Sequence, residues 1–253
     1  MAFPASDLKA AMQAYLGTFG TQRYLDQPHF IPAIQAGMRR FKALVGGILA
    51  NNKGAEELFG EVSFTRIFQT SAFGDIRLRA SQLGHQVWTV VAIYPEPITR
   101  PDTSILPAPP QDSLYRSDLS LLAPGKFPCQ RLTAETAAIA QGNRFMSGNE
   151  ILAPGPRRSY AYYIRGDKSL GYQSGDIELI VAPQSICGQK LMGVTYLMAA
   201  EPITSMASII PYPQEAFELL KQLALNELSV RQGAQPLFVT TINEARTLLG
   251  VQA

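Results

Sequence analysis

Few residues in this 253-residue chain have the types needed for acid–base or nucleophilic chemistry. Its two histidines are His29 and His85, and its two cysteines are Cys129 and Cys187. No serine or cysteine lies in a nucleophile motif such as Gly-x-Ser-x-Gly, and no cluster of His, Cys and Asp has metal-ligand spacing. Glycine-rich phosphate-binding loops are also missing from the sequence. The pattern predicts a protein that is not an enzyme, with no catalytic residues, no cofactor and no metal.

Basic pairs are the next residues with a chemical use. Arg157 and Arg158 follow a Pro-Gly-Pro stretch and can contact a phosphate or an acidic partner, with an exposed loop pair as the alternative. The tyrosines that follow alternate over Tyr160–Arg165, which predicts a strand whose aromatic rings lie in the core or in an interface. We therefore take Arg157 and Arg158 as candidate inter-subunit contacts.

The elements that position such residues include two similar stretches. They are Asp75–Thr99 (DIRLRASQLGHQVWTVVAIYPEPIT) and Asp176–Thr204 (DIELIVAPQSICGQKLMGVTYLMAAEPIT), and both open with Asp-Ile-x-Leu and close with Glu-Pro-Ile-Thr. In each, a short glycine-containing turn separates two runs of β-forming residues, which is typical of a β-hairpin. The sequence predicts two equivalent hairpins that build one β core, and chance similarity is the alternative.

Amphipathic helices are predicted at both ends of the chain. A first helix ends at Gly17, and a long second helix over Asp26–Leu49 has one apolar stripe. Gly37 lies inside this long helix, where it weakens the helix but lets another backbone approach closely. In the last third, a helix starts after Pro213 and ends at Gly233, because proline suits a first turn and glycine suits a C-terminal cap.

A proline-dense segment separates the two similar stretches. Pro95–Pro110 (PEPITRPDTSILPAPP) is predicted to be an extended arm that cannot form a backbone ladder of its own. If polyproline-like, at ~3.1 Å per residue, it spans on the order of 50 Å. We expect Ile98, Ile105 and Leu106 to anchor it on a neighbouring subunit, and a loop that covers the β core of its own subunit is the alternative.

Composition limits the classes of partner. Hydrophobic residues make up 46% and charged residues 17% of the chain, against a typical ~25% charged, and a neutral surface suits contact with other proteins. The net charge of +2 is too small to argue for nucleic acid or an anionic membrane as the main partner. No apolar run approaches the ~18 residues of a spanning helix, and no signal peptide is expected. The cysteines are expected to be reduced core thiols in a protein made in a cytoplasm.

The two ends of the chain resemble a known family. Near the C-terminus, a strand–turn–strand segment is followed by IIPYPQEAFELLKQLALNELSVRQG, and near the N-terminus YLDQPHFIPAIQAGMRRFKALVGGIL opens a helix after a Tyr-Leu-Asp phrase. Both layouts resemble virion structural proteins around the neck of tailed bacteriophages, the head–tail connectors. The resemblance covers roughly the first fifty and the last eighty residues, and the middle, 95–148, has no counterpart.

This resemblance implies a non-enzymatic subunit of a homo-oligomeric ring at the head–tail junction, with about a dozen copies or half that number. It implies docking to portal, neck or tail proteins, assembly in the host cytoplasm, and a final place in the virion with no membrane partner. Genomic DNA would pass the ring without sequence-specific contacts. The alternatives are a small ligand-binding β domain, an enzyme with an unrecognised site, and a tail-fibre or receptor-binding module.

The predicted fold class is α+β, with N- and C-terminal helices packed beside an antiparallel β unit made of two similar hairpins. We divide the chain into five regions of one composite domain. They are an N-terminal helical region (1–54), a first hairpin region (55–99), a Pro-rich arm and insertion (100–150), a second hairpin region (151–204) and a C-terminal helical region (205–253).

Overall fold

The computed structural model confirms a mixed α+β fold. It describes residues 2–17, 24–51, 53–102, 114–125, 128–132, 161–165, 176–182, 189–238 and 241–249. The chain divides into two compact units: unit 1 comprises Met1–Ser63 with Ala200–Ala253, and unit 2 comprises Phe64–Ala199. The terminal helices belong to unit 1, and the strands of the two similar stretches belong to unit 2.

The described elements have the following bounds. The helices are α1 (Ala5–Leu16), α2 (Ile31–Asn51), α3 (Ala80–Leu83), α4 (Ala216–Arg231) and α5 (Ile242–Leu248), with a π-helical segment Asp26–Phe30 and a 3-10 segment Lys53–Val62. The strands are β1 (Phe3–Pro4), β2 (Ser63–Gln69), β3 (Asp75–Leu78), β4 (Val87–Pro95), β5 (Ile98–Pro101), β6 (Leu119–Ala123), β7 (Gln130–Arg131), β8 (Ala161–Arg165), β9 (Ile177–Ala182), β10 (Leu191–Met198) and β11 (Ile209–Ile210). Of the helices described, none combines the length and hydropathy that crossing a bilayer requires.

Unit 1 is built around the packed pair α2 and α4. The apolar stripe of α2 includes Ile34 and Phe41, both fully buried. Between them lies Gly37, where a Cβ atom would stand 2.9 Å from the backbone nitrogen of Ala224 and 3.0 Å from its Cα. The two helix backbones therefore meet at this glycine, as the sequence predicted.

The two ends of the chain complete unit 1 together. Strand β1 pairs antiparallel with β11, so that Phe3 lies opposite Ile210. The ring of Tyr212 then packs on Phe41 of α2, with 4.6 Å between their centroids. Helix α1 ends at Gly17, whose φ of 65° only glycine adopts without strain. One core is thus closed by segments about two hundred residues apart in sequence.

In the described part of unit 2, two of the sheets share one core. Their strand orders are β2-β10-β4 and β3-β9-β8-β7. The shared core takes side chains from both sheets, including Val90 and Tyr196 from the first and Ile76, Tyr162 and Leu179 from the second. The predicted strand at Tyr160–Arg165 is confirmed as β8.

The hairpin prediction for the two similar stretches is wrong, although both are rich in strand. The first strand of one copy, β3, pairs antiparallel with the first strand of the other, β9, and the second strands β4 and β10 pair in the same way. In the β3–β9 ladder Arg77 lies opposite Glu178, the residue that occupies the same place in the Asp-Ile-x-Leu motif. The copies therefore pair with each other, each strand with its equivalent in the other copy.

A single helical turn explains why the first copy is not a hairpin. A hairpin needs the chain to stay extended up to Leu83, but β3 ends at Leu78 and α3 follows at once. The backbone N–H of Ala80 donates to Oδ1 of Asp176, 3.0 Å away, so that the second copy satisfies the start of this turn. Gly84, with φ 77°, ends α3 in the left-handed region and sends the chain into the other sheet.

Replacing Gly37 by alanine should lower the free energy of unfolding by up to about 2 kcal/mol. Alanine favours a helix over glycine by ~1 kcal/mol, but a methyl group forced against the backbone of Ala224 costs about 1–3 kcal/mol. Chemical denaturation measures the difference. Gly60→Ala is the matched control, because a Cβ there meets nothing within 4 Å. Equal stability of the two variants would contradict the close helix packing.

Candidate functional site

The proline-dense segment contains strand β5, which pairs with β6 to form a two-stranded ribbon. Ile98, Thr99 and Arg100 lie opposite Ala123, Leu121 and Ser120, with a bulge after Ile98. Ile98–Pro101 is therefore in a backbone ladder, and its partner strand comes from outside Pro95–Pro110, further along the same chain. Pro101 closes the ladder at the end of a strand in a two-stranded sheet, where its missing N–H costs least. Residues 103–110 lie outside the described part.

Two local features fix this ribbon. At its entry, Glu96 has a φ of 51°, a left-handed conformation that costs a non-glycine residue roughly 1 kcal/mol and turns the chain away from β4. At its other strand, Arg116 holds both carboxylate oxygens of Asp118, at 2.8 and 2.6 Å, and reaches the side chain of Gln69 at 3.2 Å. The hydrogen bond from Arg116 lowers the pKa of Asp118. The pair therefore stays ionised and orients the start of β6.

The ribbon presents an apolar face with one cation. Ile98 is 60% exposed and Leu122 is 56% exposed. Alternate residues of a strand share a face, so Arg100 accompanies Ile98, and Ser120 lies opposite it and accepts a hydrogen bond from its Nε at 3.2 Å. We call Ile98, Arg100, Ser120 and Leu122 the ribbon face. Exposed branched aliphatic side chains held on a paired backbone are suited to binding another protein.

The sequence located only part of this face. Ile98, one of the predicted anchors, lies on it, whereas Ile105, Leu106, Arg157 and Arg158 lie outside the described residues. Sequence reasoning missed Arg100 and Leu122. A signal was present, because the leucine-rich run 119–123 stands between Asp118 and a Pro-Gly pair, which is typical of a short strand.

His29 and Cys129, which the sequence offered as candidates for chemistry, make contacts that stabilise the fold. The Nδ1 atom of His29 accepts a hydrogen bond from the backbone N–H of Leu25 at 3.0 Å, just before the long helix. Cys129 is buried in the core of unit 2, as predicted for a core thiol, and its backbone N–H donates to Ile93 at 2.7 Å. Cys187 lies outside the described residues.

His85 lies in an aromatic cluster of unit 2. Its ring centroid is 5.3 Å from that of Phe64 and 5.7 Å from that of Tyr196, and its Nε2 atom shares a hydrogen bond with the Tyr196 hydroxyl at 3.2 Å. Burial and the nearby positive charge of Arg66 lower the pKa of His85. Burial raises the pKa of Tyr196 to about 12. Both rings are therefore neutral near pH 7 and bonded to each other, an arrangement that packs the sheet and offers no activated nucleophile.

A polar cavity of about 220 Å³ lies beside β3. Ser71 hydrogen-bonds to Asp75, and the guanidinium of Arg77 stands 3.3 Å from Asp75 and 3.5 Å from Glu178. The carboxylates of Asp75 and Glu178 thus neutralise the charge of Arg77. This ion pairing links the two copies and gives the cavity wall a structural role. Within the part of the chain that the structure describes, no three His, Cys, Asp or Glu side chains come together in a way that could hold a metal ion.

The sequence matches no protein-family model and shows no significant similarity to any curated protein. The function must therefore be inferred from this chain's own residues. The ribbon face brings two exposed large apolar side chains, Ile98 and Leu122, together on a paired backbone, which is suited to contact with a partner.

Replacing His85 by glutamine should flatten the pH dependence of stability below pH 6.5. The folded protein binds the His85 proton less readily than the unfolded chain, whose histidine titrates near 6.5. The contribution of His85 to the free energy of unfolding is therefore fully present above pH 6.5 and is lost as the pH falls below it. Denaturation midpoints of wild type and His85→Gln, measured at several pH values from about 7.5 down to about 5, give the difference. Parallel curves would contradict the assignment of His85 as a half-buried, neutral imidazole.

Proposed function

We propose that this chain is a non-enzymatic structural subunit of a tailed bacteriophage virion, and that its copies form a ring at the head–tail junction. The ribbon face carries the proposal, because it places Ile98 and Leu122 in solvent where burial against a partner would stabilise an assembly. Fully burying such a side chain contributes about 1.5–3 kcal/mol. A rotation axis that repeats one such contact between neighbouring copies closes a ring.

The partners follow from the same proposal. The subunit binds further copies of itself and docks to portal, neck or tail proteins, all in the virion after assembly in the host cytoplasm. Genomic DNA passes through the ring without base-specific contacts, and a net charge of +2 supports passage without tight binding. The structural bonding of His29, His85 and Cys129 supports a role without catalysis.

Localisation in the particle is the direct test. We expect gold-labelled antibodies against this chain to mark the neck of purified phage particles in electron micrographs. The purified chain should also sediment as a closed species; a dozen copies of a 27.6 kDa chain would have a mass of about 330 kDa. Label confined to fibre tips would favour the receptor-binding alternative. Absence of label from intact particles would rule out a virion protein.

Lysine at both apolar positions of the ribbon face should weaken assembly. The double variant Ile98→Lys with Leu122→Lys removes two side chains that the proposed contact buries, so association should weaken by at least about a hundredfold while the monomer keeps its thermal stability. Sedimentation velocity over a concentration series measures this. Phe73→Lys is the matched control: Phe73 is 76% exposed but lies outside the ribbon face. Equal assembly by both variants would contradict the role of the ribbon.

A further inference from the structure

The ribbon rests on the outer face of the β2-β10-β4 sheet, at a glycine. In β10, the fully buried Met192 and Val194 belong to the core shared by the two sheets, so Gly193 between them faces away from that core. A Cβ atom at Gly193 would stand 3.6 Å from Cβ of Pro97 and 3.9 Å from Cδ1 of Leu121. The residue that leads into β5 and one side of β6 therefore lie directly over this glycine.

The two sides of the ribbon differ in burial. Pro97 is buried and Leu121 is half-buried, whereas their neighbours Ile98 and Leu122 are exposed. Successive residues of a strand point to opposite sides, so the contact of Leu121 with the sheet turns Leu122 outwards. What lies beneath Leu121 thus sets the position of the ribbon face.

A second glycine closes the base of the ribbon. At Gly125, shortly after β6, a Cβ atom would overlap the carbonyl oxygen of Pro95 at the end of β4. The entry and the exit of the ribbon therefore lie against each other. The ribbon is held at its base by this backbone contact and on its inner side by the contact over Gly193.

The space above Gly193 is matched to a small residue. The distances of 3.6 and 3.9 Å are ordinary van der Waals contacts, so the single added carbon of alanine fits. The two further carbons of valine, about 1.5 Å beyond Cβ, would enter the space of Pro97 and Leu121. Overpacking of this kind is relieved by shifts of side chains and backbone. The ribbon is the layer that shifts, because the other side of β10 is fixed in the core.

We propose that Gly193 is the positioning residue of the ribbon: its missing side chain seats Pro97 and Leu121 on the sheet and so holds Ile98 and Leu122 outwards for the contact between copies. This inference rests on the proposed ring and adds the residue that orients its contact surface. A surface that is held in place before binding loses less conformational entropy on association. The size of the residue at position 193 therefore controls assembly through the ribbon.

A larger residue at position 193 tests this role. Gly193→Val should raise amide hydrogen exchange in Ile98–Pro101 and Leu119–Ala123 at least about tenfold, because the ribbon is lifted from the sheet. Association of the full chain should weaken at least about tenfold as well. Strands β3 and β9 lie in the other sheet and should exchange as in wild type. Mass spectrometry on dilute, unassembled chain measures exchange, and sedimentation velocity measures association.

Two further variants make the test specific. Gly193→Ala is the matched control and should keep wild-type exchange and assembly. Gly193→Val combined with Leu121→Ala should recover both, because the shortened side chain makes room for valine. Circular dichroism melts verify that each variant is folded. A double variant no better than Gly193→Val would show that valine acts on the sheet itself, which overturns the positioning role.

Exchange and sedimentation separate this inference from the ring. Wild-type exchange of the ribbon in Gly193→Val overturns the positioning role and leaves the ring proposal standing. Faster exchange with undiminished assembly places the contact elsewhere and overturns the inference that Gly193 orients it. If wild type stays monomeric at all concentrations and in the presence of phage heads, the ring falls, whereas the exchange comparison still decides whether Gly193 seats the ribbon.

Discussion

Pairing between the two similar stretches is the constraint on which unit 2 depends. Strands β3 and β9 form one ladder and β4 and β10 the other, so each sheet contains one strand from each copy. Because the two sheets share a core, neither copy can bury its apolar residues without the other. The Arg77–Glu178 contact lies at the centre of this arrangement, where the two similar sequences differ by a reversal of charge and an ion pair results. Two identical charged residues there would have placed like charges together.

The ribbon is a consequence of how this paired core ends. Strand β4 stops at Pro95, and the left-handed Glu96 keeps β5 from continuing it. The backbone N–H of Glu96 donates to Leu191 of β10 at 3.0 Å, so the turn remains tied to the paired sheet. On the far side, the Arg116–Asp118 pair and Gln69 hold the approach to β6. The apolar side chains of the ribbon are therefore presented by a structured backbone, which reduces the conformational entropy lost on binding.

The features that depend on local sequence rules, such as helix ends, were predicted from the sequence. The helix ends at Gly17 and Gly233 follow from the left-handed backbone that glycine permits, with φ values of 65° and 75°. The close approach at Gly37 follows from the same reasoning about a missing side chain. Strand partners were not predictable in this way. The alternation of residues in Ile76–Leu83 is compatible with a hairpin, and the helical turn at Ala80 is bonded by Asp176, which lies far away in sequence. The run 119–123 carried a local strand signal, but the partner that places Leu122 on the ribbon face, Ile98–Pro101, was not predictable from that signal.

The split of unit 1 between the two chain ends affects how the protein is made. Helix α2 is complete at Asn51, but its partner α4 begins at Ala216, about 165 residues later. At roughly 5–20 residues per second, a ribosome needs on the order of ten to thirty seconds to deliver the second helix. During that interval the apolar stripe of α2, with Gly37 at its centre, has no α4 to cover it. Unit 2 lies entirely within the intervening residues, so all of it is synthesised before α4.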